Sequence, residues 1–85
     1  MPKSIHSPGH RALITGLIKA RKATGLSQAT LAARLRCHQS FIARIESGQR
    51  RIDVPELVIL ARALGVDARE ILQRVEEATP DGERI

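Results

Sequence analysis

Aromatic side chains are almost absent from this chain of 85 residues: Phe41 is alone, at 1% of the composition, with no Trp or Tyr. A core without aromatics has to be built from Leu, Ile, Val and Ala. That favours packed helices over a β-sandwich, whose strands want aromatic and β-branched alternation. Cysteine is equally scarce. Cys37 stands alone, which excludes an intramolecular disulfide and fits a reducing cytosol. No apolar run approaches the ~18–20 residues of a membrane span, and the N-terminus carries no signal-peptide pattern, so a cytoplasmic protein is expected. What remains is ordinary for a folded protein: 42% apolar and 27% charged residues, too apolar for a disordered chain and about the size of one small domain.

Acidic residues are missing from one half only. Residues 1–51 hold ten Lys/Arg against a single acid, Glu46, whereas residues 52–85 hold four basic and eight acidic residues; the net charge is +5. A basic half joined to an acidic half suggests one face for a polyanion and another for water or a partner. Nucleic acid leads among the polyanions, with a membrane surface as its rival.

Along the chain, Pro2, Ser4, Ser7, Pro8 and Gly9 mark residues 1–9 as a flexible arm. From His10 the pattern turns helical: Leu13/Leu17 and Ile14/Ile18 recur at i, i+4, and Gly25 stands where a left-handed cap belongs. Ser27 can cap a short second helix with Leu31, Ala32 and Leu35 on one face. Arg36-Cys37-His38 forms a tight link, and Gln39–Ser47 a third helix with Ile42 and Ile45 inward, ended by Gly48. Asp53 with Glu56 makes a capping box, with Pro55 inside the first turn of a fourth helix carrying Leu57, Leu60, Ala61 and Leu64. Asp67 and Glu70 repeat the box for a fifth helix with Ile71, Leu72 and Val75; residues 77–85 read as a flexible tail. The expected architecture is all-α, a five-helix bundle over residues 10–76.

Two helices of about two turns each cannot stand alone in water. The second and third must be held at a fixed angle by shared core contacts, which is the helix-turn-helix arrangement. The residues sharpen this. Leu26-Ser27-Gln28-Ala29-Thr30-Leu31-Ala32-Ala33-Arg34-Leu35, then Gln39-Ser40-Phe41-Ile42-Ala43-Arg44-Ile45-Glu46-Ser47-Gly48, closely resemble the Xre, lambda-repressor-like helix-turn-helix family. The resemblance covers roughly residues 11–75 and includes Leu57-Val58-Ile59-Leu60-Ala61-Arg62-Ala63-Leu64-Gly65-Val66. One departure stands out: the family usually has Gly, often left-handed, where this chain has Arg36. A non-Gly residue there costs about 1 kcal/mol.

The resemblance implies roles for individual residues. Gln39, Ser40, Phe41 and Arg44 would reach base edges in the major groove, Gln pairing with adenine, Arg with guanine, and Phe41 touching a thymine methyl unless it belongs to the core. Ser27 and Gln28 at the start of the second helix would meet a phosphate, where free N–H groups and the helix dipole favour an anion. His38 would cap the third helix or meet a phosphate, and Arg50 and Arg51 would clamp the DNA backbone. Glu46 would repel phosphate if it faced the groove; the family pairs it with the equivalent of Arg21, tying the first helix to the third and leaving Arg21 able to touch the backbone.

A single helix-turn-helix reads too few base pairs for genomic selection, so a homodimer on a palindromic double-stranded DNA operator is expected. Val54, Val58 and Ile59, off the fourth helix's core stripe, with Ile71 and Val75 from the fifth, offer its interface. The expected activity is transcriptional regulation, by repression. The alternative is a protein-interaction module, an antitoxin or co-regulator whose main partner is a toxin or another regulator. No cofactor or metal is expected: His6, His10, Cys37 and His38 lack zinc-type spacing. Nor is an enzyme expected, since no nucleophile stands beside a base and no Gly-rich phosphate loop appears.

Overall fold

The computed structural model describes residues 7–85, and among these residues the secondary structure is five helices without a strand. The helices are α1 (Pro8–Ala23), α2 (Gln28–Leu35), α3 (Gln39–Glu46), α4 (Val54–Leu64) and α5 (Ala68–Ala78). Four of the five starts have a local cause, α3 being the exception. Ser7 accepts a hydrogen bond from the His10 N–H and Pro8 occupies the first turn of α1, where its missing N–H is harmless. Ser27 accepts from Thr30 N–H at the start of α2. Asp53 and Glu56 form the reciprocal capping box of α4. Gly25 and Gly65 end α1 and α4 with φ of 77° and 72°, a conformation that only glycine adopts without strain.

The core is aliphatic. Ile14 and Leu17 from α1, Leu31 and Ala32 from α2, Ile42 and Ile45 from α3, Leu57, Leu60 and Leu64 from α4 and Ile71 from α5 form one buried cluster, with Ile42 at 1% exposure. Only Leu31 and Ala32 of α2 and only Ile42 and Ile45 of α3 are buried. These two pairs are therefore what holds the short helices against α1 and α4. Arg34 adds a tie, donating to the Ala63 carbonyl oxygen at 3.3 Å near the end of α4.

Four expectations are corrected. The arm is shorter than residues 1–9: residues 1–6 lie outside the described residues, and Pro8 and Gly9 already belong to α1. Gly9 is buried against the end of α5, where the Cβ of any other residue would collide with Thr79 Oγ1. At the other end α5 runs on through Ala78, two residues past the expected boundary at 76. Asp67 caps α5 but makes no box with Glu70: its carboxylate accepts from Arg69 N–H and pairs with the Arg69 guanidinium at 3.0 Å. Finally, Ile71 is 5% exposed and part of the core, and Val75 is half-buried on the side facing Gly9 of α1. Both are engaged by the fold, because α5 lays its apolar stripe against α1. Neither belongs to a free interface.

The turn between α2 and α3 carries the expected strain. Arg36 has φ 57° and ψ 43°, the left-handed region that disfavours any residue with a Cβ. Its N–H bonds to the Ala33 carbonyl and that of Cys37 to the Ala32 carbonyl, so the conformation is imposed by closure of the helix end. Arg36→Gly is expected to raise stability by about 0.5–1 kcal/mol, the relief of strain being partly offset by the greater freedom of glycine in the unfolded chain. Urea unfolding followed by far-UV circular dichroism checks this, since tryptophan fluorescence is absent; an unchanged or lower midpoint would show that the Arg36 side chain itself stabilises the turn.

Candidate nucleic-acid interface

Residues 7–51, the described part of the basic half, fold into α1, α2, α3 and the turns around them. Its single acid is turned inward. The Glu46 carboxylate, at the end of α3, is 9% exposed and receives a two-pronged grip from Arg21 on α1, itself 11% exposed: Arg21 Nε to Oε2 at 2.7 Å and Nη2 to Oε1 at 2.9 Å. Arg21 Nη1 also donates to the Leu26 carbonyl oxygen at 2.8 Å, before α2. Paired planar groups of this kind are short and strong. The guanidinium proton is held more firmly than in free arginine, chiefly by the hydrogen bond to Glu46. Three of the five Arg21 donors thus act inside the protein, which makes Arg21 a tie between helices.

The pair extends outward through two glutamines. Gln28, first residue of α2, donates from Nε2 to Glu46 Oε1 at 2.9 Å. Gln39, first residue of α3, donates from Nε2 to Gln28 Oε1 at 2.7 Å. Nothing in the sequence signals this chain: the positions lie eleven and eighteen residues apart, and only the crossing of α2 and α3 brings them together. Gln28 is half-buried, while Gln39, Ser40 and Arg44 are exposed on the outer side of α3. With Glu46 turned inward, that outer face presents amide, hydroxyl and guanidinium groups and no carboxylate.

Other expected contacts fall differently. Ser27 is the N-cap of α2, its hydroxyl engaged by Thr30 N–H at 3.0 Å and by Thr30 Oγ1 at 2.9 Å. His38 holds the N-cap position of α3, but its side chain makes no capping bond and stays exposed. Phe41 is half-buried, packed on the edge of the core, and lines a hollow of about 170 Å³ with Leu35, Ile45, Ile59 and Leu60. It turns to the side facing α4, where the one aromatic ring finds apolar partners. Arg50 follows it. Its guanidinium sits 4.4 Å from the Phe41 ring centroid, pairs with Glu56 at 3.0 Å and donates to the Arg51 carbonyl oxygen. A cation over an aromatic face is favourable, and the Arg50 hydrogen bonds, followed by the Asp53 N–H, hold the Glu56 carboxyl below its ordinary range. Arg50 is therefore a brace of the loop between α3 and α4. Arg51, next to it, is exposed.

Two short helices joined by a tight turn, the second with an exposed face free of carboxylates, form a helix-turn-helix unit. The profile of the Helix-turn-helix family matches residues 17–71. Among solved structures the chain is similar to an XRE-family like protein from Pseudomonas syringae pv. tomato str. DC3000, with 40% identity, covering 85% of this chain and 88% of that one, at a TM-score of 0.77. It also shares its fold with the clp gene regulator ClgR from C. glutamicum, at 21% identity, covering 82% of this chain and 90% of that one, with a TM-score of 0.72. Among curated protein sequences none matches. The chain belongs to the Xre family of helix-turn-helix proteins. Among the described residues no helix is long and apolar enough to cross a membrane.

Removal of either partner of the Arg21–Glu46 pair leaves the other charge without its two bonds to that partner, with only Gln28 still donating to Glu46 or Arg21 still donating to the Leu26 carbonyl. Arg21→Ala or Glu46→Ala is expected to destabilise by about 1.5–3 kcal/mol, the scale of hydrogen bonds to a charged group. The double variant should be less destabilised than the two single losses added together. Chemical unfolding of all four proteins measures the coupling; strictly additive losses would show that the pair contributes nothing as a pair.

Proposed function

We propose that this protein is a sequence-specific repressor that binds a palindromic operator as a homodimer, with α3 in the major groove of double-stranded DNA. The observation that carries the reading is the outer face of α3, where Gln39, Ser40 and Arg44 are exposed beside the inward-turned Glu46. Glutamine and arginine are the side chains that pair in two-pronged fashion with adenine and guanine edges. An interaction module has no need of such a face. Arg44 reads bases, and Arg51, with the free N–H groups at the start of α2 near Ser27 and Gln28 and with exposed His38, holds the phosphate backbone. A dimer of this size on a promoter represses by occupying the site of the polymerase.

The dimer reading rests on α4. Val54 is 71% and Ile59 53% exposed, with Val58 half-buried between them. Together with the Phe41 hollow they form an apolar strip on the side of the domain next to the base of α3. A two-fold axis there would place two recognition helices on one face of a duplex, with half-sites about one helical turn apart. Sedimentation at micromolar concentration is expected to show a dimer, and Ile59→Glu a monomer of unchanged helicity; a wild-type monomer at all concentrations, with or without DNA, would remove this interface.

Selection from random duplex DNA at moderate salt tests the reading as a whole. Enrichment of an inverted repeat about one turn apart is the expected result. Weak, sequence-independent binding alone would turn the assignment toward a protein partner, a toxin or a second regulator. On the enriched operator, Arg44→Ala should flatten preference at one base pair per half-site by roughly tenfold or more. Arg51→Ala should weaken all sequences alike and reduce the slope of log affinity against log salt by about one for each phosphate that is no longer neutralised. Equal, sequence-independent weakening from both changes would overturn the two roles.

A further inference from the structure

We propose that Arg36 is a DNA-backbone contact: its guanidinium neutralises a phosphate beside the start of α3, and it holds the left-handed turn at a cost in folding stability. This rests on the reading that α3 lies in the major groove. Four of the described residues have a positive φ; three are Gly25, Gly48 and Gly65, and the fourth is Arg36, at 57°. Glycine takes this conformation without strain, and a residue with a Cβ does not. Nothing inside the chain offsets the difference. The bonds that close the turn come from backbone groups, Arg36 N–H to the Ala33 carbonyl and Cys37 N–H to the Ala32 carbonyl, and glycine would make both. The Arg36 side chain is exposed, and its guanidinium donates to none of the described residues. Backbone strain that persists in a fold concentrates at binding and active sites.

Charge and position together identify the partner. Around α2 and α3, Arg21, Arg34 and Arg50 each donate to acceptors of their own chain, whereas Arg36 keeps all of its guanidinium donors for an outside anion. The nearest acid in sequence is Glu46, ten residues on and gripped by Arg21. Gln39, the first residue of α3, follows Arg36 by three positions, which places the two Cα atoms within about 11 Å of each other. The major groove is about 12 Å wide and walled by phosphates. A long cationic side chain rooted just before a helix in that groove therefore reaches one wall. Arg36 before α3 and Arg51 after it then hold the backbone at both ends of the helix, with Arg44 between them at base edges. Phosphate contacts fix register and carry no sequence information, so Arg36 adds affinity without altering base preference.

The full chain tests this as wild type, Arg36→Gly, Arg36→Lys and Arg74→Gln. Each is unfolded in urea and titrated with two duplexes: the inverted repeat that wild type enriches from random DNA, and a mixed-sequence duplex of equal length. Arg74 is exposed on α5, the helix packed against α1 and α4, so Arg74→Gln removes the same charge away from α3. Arg36→Gly is expected to unfold at higher urea, yet to bind both duplexes at least about fivefold more weakly at about 0.1 M salt. Its slope of log affinity against log salt on the inverted repeat should be shallower by about two, one for each subunit. Arg36→Lys restores the charge and keeps the strain, so it should bind within about threefold of wild type and gain no stability. Arg74→Gln should bind within about twofold, its charge being screened from the duplex. The inference is overturned, with the groove reading intact, if Arg36→Gly binds as tightly as wild type, loses no more than Arg74→Gln, changes the preference at single base pairs, or gains no stability. If wild type enriches no sequence at all, the groove reading fails, and the inference with it.

Discussion

The Arg21–Glu46 pair is the constraint on which the rest of the domain depends. Helices α2 and α3 have eight residues each, too few to persist in water, and each buries only two side chains. Apolar contact alone fixes their distance from α1 and α4 but leaves rotation about the helix axes weakly determined. A planar guanidinium on α1 meeting a planar carboxylate on α3 is directional, and the bond from Arg21 to the Leu26 carbonyl extends the constraint to the segment entering α2. Three elements are thereby tied by one side chain. The pair is largely withdrawn from water, so part of its Coulombic attraction offsets desolvation; its contribution is as much to geometry as to stability.

The same pair resolves an electrostatic difficulty. A surface that attracts phosphate cannot carry a carboxylate at its centre, yet α3 ends in one. Burying Glu46 against Arg21 neutralises it and hides it, leaving the outer side of α3 with Arg44 as its only charge. Arg50 makes the opposite exchange. Its guanidinium is engaged by Phe41 and Glu56, which braces the entry to α4, where Asp53 and Glu56 already form the capping box.

Much of this was legible in the residues because its causes are local. Ser27, the Asp53–Glu56 box, Gly25 and Gly65 are caps, and caps depend on a few neighbouring atoms. The left-handed turn at Arg36 was implied by the family resemblance, which puts glycine there, and Glu46 was marked by being alone among ten cations. The corrections fall where the cause is distant. Ser7-Pro8 is itself a helix-start signal, masked by the Pro and Gly content that made residues 1–9 read as an arm; only the packing of Gly9 under Thr79 shows why a glycine sits there. Ile71 and Phe41 have the right chemistry for an interface or a thymine methyl. Which way each points is decided by α1 and α4, which periodicity within one helix cannot reveal. The glutamine chain from Glu46 to Gln39 is the extreme case, since every link joins residues on different elements.

The acidic half bears on the proposed dimer in a way that net charge alone would misjudge. Bringing two copies together through α4 brings two acid-rich segments near each other, and like charges oppose association. The acids nearest Val54 are Asp53 and Glu56. Asp53 accepts the Glu56 N–H at 2.8 Å, and Glu56 accepts from Asp53 N–H at 2.9 Å and pairs with Arg50, so both are engaged within their own chain. The α5 acids Glu70, Glu76 and Glu77 belong to the helix that lies against α1. The apolar strip of Val54, Val58 and Ile59 thus has no unpartnered carboxylate immediately before it in sequence.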